Sequence, residues 1–111
     1  MDKLRKKLLA NRDDLAAGTF CHTLFEEGEF NENLLGILVN DLATYAKMLK
    51  NDDREMRELL RWIVEGVDQC FVSHHAADDL FYIKNYFADC EERWRRRWKT
   101  EIKKYTPSEK Y

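Results

Sequence analysis

Three side chains that can ligate a metal, Cys70, His74 and Asp78, recur at intervals of four residues, with His75 and Asp79 alongside. On one unbroken helix they share a face, and all three residue types bind zinc. A structural zinc site takes four protein ligands, and no second cluster supplies the remainder. The Ser73-His74-His75 stretch also reads as a break between helices, which would destroy the alignment. The expectation is therefore no metal and no cofactor. Cys21 and His22 are adjacent, but a nucleophile and its base must meet in space, which neighbours on a helix rarely do. No phosphate-cradling glycine loop is present, nor any GxSxG, HExxH or nucleotide fingerprint. With no catalytic residue to name, the chain reads as a binding protein and not an enzyme.

Charge is the feature with most content. Residues 1–17 carry a net +2, residues 18–92 a net −10 and residues 93–111 a net +6. Within the acidic middle, Glu26, Glu27, Glu29 and Glu32 cluster around one loop, Asp52 and Asp53 around a second, and Asp78 and Asp79 around a third. An acidic surface steers a basic partner and fixes its orientation more than it adds affinity. Helix caps and solvated faces give the plainer reading, because each pair sits where a helix begins or ends.

The basic run Arg93-Trp94-Arg95-Arg96-Arg97-Trp98-Lys99 interleaves cations with aromatics, as nucleic-acid-binding segments do. Trp94 and Trp98 nevertheless continue an apolar stripe from Ile83 and Phe87, which favours the core. Glu91 and Glu92 stand four residues before Arg95 and Arg96, a favourable helical pairing.

The elements that must position these groups are helical. The chain has 111 residues, one proline and four glycines, 44% hydrophobic and 36% charged residues, and almost no period-two alternation. A first helix is expected from Asp2, as cap, to Ala17, with Gly18 as its stop. A short apolar piece, residues 20–25, follows. Asn31 caps a central helix whose stripe runs through Leu34, Leu38, Leu42, Tyr45 and Leu49. Asn51-Asp52-Asp53 breaks it and caps the next helix, which carries Met56, Leu60, Ile63, Val67 and Phe71. Asp78-Asp79 then restart a long last helix through Ile83, Phe87, Cys90, Trp94, Trp98, Ile102 and Tyr105, ended by Pro107. The expected fold is all-α: a single antiparallel bundle of four to five helices over residues 1–111, with a frayed tail at 106–111.

No stretch approaches the roughly 18 apolar residues of a membrane span. The basic start is interrupted by Asn11-Arg12-Asp13-Asp14 before any signal-peptide core forms. Three cysteines without CxxC spacing suit free thiols in a reducing compartment, so a cytoplasmic location is expected.

As a whole, the chain resembles the small helical immunity proteins that bacteria make beside their own nuclease or other toxins, including those of contact-dependent growth-inhibition systems. The likeness rests on one compact acidic domain, on Asn31-Glu32-Asn33-Leu34-Leu35 opening a central helix, and on Asp78-Asp79-Leu80-Phe81-Tyr82, which mixes carboxylates with aromatics. The basic C-terminal helix departs from a uniformly acidic immunity protein. The resemblance implies a stoichiometric inhibitor of a cognate toxin, with a basic nuclease domain as partner, and a monomer or homodimer. Glu26, Glu27, Glu29, Glu32, Asp52, Asp53, Asp78 and Asp79 would meet the toxin's cations. Phe81, Tyr82 and Tyr86 would supply desolvated anchors. Two other readings stand beside it: a nucleic-acid-associated regulator using the basic last helix, and a self-associating helical subunit without catalysis.

Overall fold

Local capping chemistry sets the two longest helices. The computed structural model describes residues 2–13, 15–49 and 51–106, with Asp2 described by its backbone alone. The Asn31 side chain accepts the Leu34 N–H at 3.1 Å and opens α3 (Glu32–Met48). Asp53 does the same for α4 (Arg54–His75), accepting the Met56 N–H at 3.1 Å. Thr19 caps the six-residue α2 (Phe20–Phe25) through the His22 N–H. Each side chain satisfies an amide that the first helical turn leaves without an intrahelical partner.

Helix α1 (Asp2–Leu9) is shorter than the sequence pattern suggests, passing into a 3₁₀ turn at Ala10–Arg12. Asn11 explains the early stop. Its buried side chain donates to the Leu8 carbonyl at 3.1 Å and accepts the Cys21 N–H at 3.2 Å, tying the end of α1 to α2. Asparagine competes with the helical backbone for such bonds. Asp13 then accepts the Leu15 N–H, and Gly18, at φ 91°, turns the chain inside a loop and does not end a helix.

The second departure is larger. Residues 76–87 form a loop, and the last helical rod starts only at Ala88. It comprises α5 (Ala88–Arg93), a π-helical turn at Trp94–Trp98 and α6 (Lys99–Lys103), end to end. Trp94 and Ile102 are both fully buried. In an unbroken α-helix eight residues apart is about 80° out of phase, and the wider π turn takes up that angle. The expected stop at Pro107 and most of the frayed tail lie outside the described residues.

The described residues contain no strand, and the helices pack as the all-α bundle the pattern implies. The core joins Leu8 of α1, Phe20 and Leu24 of α2, Leu35, Leu38 and Leu42 of α3, Leu60, Ile63 and Val67 of α4, and Trp94 and Ile102 of the last rod. Cys21, Cys70 and Cys90 are buried free thiols, and burial pushes Cys70 up to about 12. No helix among the described residues is long and apolar enough to cross a membrane.

Loop contacts fix the directions. The 76–87 loop docks on the segment before α3, so α4 ends where α3 begins and the two run antiparallel. At about 1.5 Å per residue, the 22 residues of α4 separate its two ends by about 33 Å. That distance decides which acidic loops can share a surface.

Candidate functional site

Two ends of the bundle carry the carboxylates, and they are built differently. At the far end, Asp53 is a structural hub. Besides capping α4, it receives Arg5 Nε at 3.0 Å and the Tyr45 hydroxyl at 2.6 Å. The Arg5 guanidinium, helped by Tyr45, holds the Asp53 carboxyl down to about 2. Glu55 pairs with Arg5 at 2.6 Å and with Arg12, which with Arg5 lowers its carboxyl below the usual range. Asp52 takes a two-pronged contact from Arg57, at 2.8 and 2.7 Å. Asp52 and Asp53 therefore clamp α1 and α4 to the α3–α4 turn, a helix length of about 33 Å from the Asp78–Asp79 loop at the other end of α4.

Glu32 also turns inward. It accepts both prongs of Arg93, at 2.7 and 2.6 Å, and the Trp98 indole N–H at 3.0 Å. On the other flank of the rod, Asp68 accepts the Trp94 indole at 2.8 Å and Lys99 at 2.7 Å. Two carboxylates thus hold the π turn by its tryptophans. The basic run is largely neutralised within the fold: Arg95 reaches Glu91 and Glu92, Arg96 pairs with Glu92, and Arg97 stacks over Trp98.

At the near end, the 26–31 and 76–87 loops meet. Lys84 N–H donates to the Gly28 carbonyl at 2.7 Å, and the Asn85 amide exchanges two bonds with the Phe30 backbone, at 2.8 and 2.9 Å. Gly28 sits at φ 71°, and a Cβ there would lie 3.0 Å from the Tyr82 carbonyl oxygen. The position therefore requires glycine twice over, for its backbone and for the close approach.

The two loops carry Glu27, Glu29, Asp78 and Asp79, all exposed, with Asp89 just beyond, whereas Glu26 closes α2 and lines a recess with Arg12, Asp13 and Trp62. Glu26, Glu29, Asp78 and Asp89 have no ion pair among the described residues, while Glu27 lies 3.5 Å from His22. Asp79 shapes the loop by accepting the Phe81 N–H at 2.9 Å, which lowers its carboxyl. Between the carboxylates stand Leu80, 97% exposed, Tyr82, 59%, and Phe87, 54%.

Of the three aromatics expected as anchors, only Tyr82 is presented. Phe81 packs against the core. Tyr86 stacks on His74 with centroids 4.2 Å apart, and its hydroxyl donates to Glu91 at 2.7 Å, which with burial raises it to about 12. Leu80 and Phe87 were not among the expected anchors. Phe87 shares the spacing of the core stripe, and only the loop at 76–87 turns it outward as the residue before α5. The spacing of Cys70, His74 and Asp78 fails as a metal array because α4 ends at His75. His74 Nδ1 is occupied by the Ile83 N–H at 2.9 Å. No group of three or more ligating side chains among the described residues is placed to hold a metal.

The arrangement can bind, by charge and by apolar contact. No protein-family model, curated protein or solved structure matches the chain.

Proposed function

We propose that this protein is a stoichiometric inhibitor, of the toxin-immunity kind, that docks a basic protein domain on its 26–31/76–87 end. The observation that carries the reading is the coincidence of Glu29 and Asp78, without an ion pair among the described residues, with exposed Leu80, Tyr82 and Phe87 on one loop junction. Unneutralised acids draw in a cationic surface and orient it. Apolar and aromatic side chains then supply the desolvated contacts that dominate binding energy. Because backbone bonds and the Asn85–Phe30 pair fix the loops in advance, little ordering entropy is lost on docking. A nuclease whose phosphate-binding lysines and arginines face this surface loses access to substrate, and no catalysis by the inhibitor is needed.

The nucleic-acid reading has less to work with, since Glu32, Glu91, Glu92 and Asp68 already occupy most cations of the last rod.

Expressing the product of the adjacent upstream gene with and without this chain, then mixing the purified pair on a sizing column, tests the proposal. Growth arrest relieved by this chain, with a one-to-one complex, is the expected result. Absence of both toxicity and complex would overturn it.

A further inference from the structure

The half of the docking loop that presents Leu80 and Tyr82 hangs on few bonds. Lys84 and Asn85 tether its later half to the 28–30 segment. The earlier half is held by the Asp79 turn, by Phe81 against the core, and by Ile83, whose side chain is 1% exposed and whose N–H donates to His74 Nδ1 at 2.9 Å. An imidazole nitrogen accepts a hydrogen bond only while it carries no proton, so this contact requires a neutral His74 with its proton on Nε2.

We propose that His74 is the positioning residue of the docking loop and that its protonation releases the Leu80–Tyr82 tip, making partner binding weaken on acidification. The inference rests on the reading of this loop as the docking surface. Once protonated, Nδ1 becomes a donor facing another donor, and the buried Ile83 amide is left without its acceptor.

The surroundings of His74 bear on the sign. From its own helix, His75 stands edge-on at 5.3 Å between ring centroids. From the loop, Tyr86 stacks on it, and Asp79 lies near the preceding turn through Ser73. From α5, Glu91 contacts His75 Nε2 at 2.8 Å and the Tyr86 hydroxyl at 2.7 Å, with Arg95 behind it at 3.8 Å. A proton added to His75 would face the Glu91 carboxylate, whereas one added to His74 Nδ1 would face the Ile83 N–H. Only a neutral ring can accept the Ile83 N–H, so this bond and a proton on Nδ1 exclude each other.

The test uses the free, isotope-labelled chain and reads amide exchange protection at Ile83, corrected for intrinsic rates, from pH 7.5 to 5.0. Protection should fall about tenfold or more on acidification, the scale of one lost buried hydrogen bond. His74→Asn, whose side-chain oxygen accepts at any pH, should flatten the profile, while His75→Gln should leave it titrating. If H74N does not fold, the ring nitrogen shifts of the wild type decide: the Nε2–H tautomer at neutral pH is expected. A pH-independent Ile83 in the wild type, a titrating H74N, or the Nδ1–H tautomer would overturn the assignment. Because this readout needs no partner, a titrating loop on a chain that binds no basic protein would sink the inhibitor reading and leave His74's positioning role standing.

Discussion

The two ends of this bundle begin from the same sequence device, a pair or cluster of carboxylates beside a helix terminus, and finish as opposite things. At the α3–α4 turn, Arg5, Tyr45 and Arg57 from three helices and Arg12 from the 3₁₀ turn consume Asp52, Asp53 and Glu55. At the 26–31/76–87 junction Glu29 and Asp78 have no ion pair among the described residues, and apolar side chains are turned outward on the same loops. What separates a structural clamp from a presented surface is therefore the destination of the cations, of which Arg5 and Arg12 come from the far start of the chain and Arg57 from the next turn. Acidic residues that the fold leaves unneutralised raise local field and self-repulsion, so they are the ones to suspect of meeting a partner.

The largest effect on stability is expected at the clamp. Asp53→Ala removes a helix cap, a tyrosine hydroxyl contact and an arginine pair at once, and should cost about 2–3 kcal/mol in urea unfolding. The pH dependence follows from the same residue. Its folded carboxyl lies at about 2, below the unfolded value of about 3.9. The stabilisation is thus complete above about pH 4 and lost as pH falls toward 2. The acid limb of the stability curve should be shallower in the Asp53→Ala variant, and an identical limb would show that Asp53 is not the hub.

A smaller effect is expected where the two presented loops touch. Gly28→Ala combines a positive φ with a Cβ 3.0 Å from the Tyr82 oxygen, and should destabilise by about 1–2 kcal/mol. Faster amide exchange at Lys84, whose N–H bonds the Gly28 carbonyl, would localise the damage. The smallest effect belongs to the presented side chains. Leu80→Ser should leave the unfolding midpoint within about 0.5 kcal/mol of the parent. A marked loss of stability there would mean that Leu80 packs in solution.

What the sequence made legible was local. The capping positions of Asn31 and Asp53 precede their apolar runs directly, and α3 and α4 follow as expected. The loop at 76–87 was hidden because Ile83, Phe87 and Cys90 keep a helical spacing. What unravels that spacing lies far along the chain, with Asn85 bound to Phe30 and Lys84 to Gly28. The fate of the acids was illegible for the same reason: Glu32 meets Arg93 and Asp53 meets Arg5 across long loops of sequence. The acidic 26–29 and 78–79 segments could be named from composition, but not their union with Leu80 and Phe87. Nothing in a helical periodicity distinguishes a stripe that packs from one that a loop turns outward.

The central claim is that one end binds and the other only holds the fold, and a binding titration of two neutralised variants tests it most directly. Glu29→Gln and Asp78→Asn together remove presented charge, while Asp52→Asn and Glu55→Gln remove charge from the clamp. Titrated against the upstream-encoded protein, the first variant should keep its unfolding midpoint and bind at least about tenfold more weakly, with a reduced salt dependence. The second should bind as the parent does. Undiminished affinity in the first variant, with loss in the second, would contradict the account and move the docking surface to the other end of the bundle.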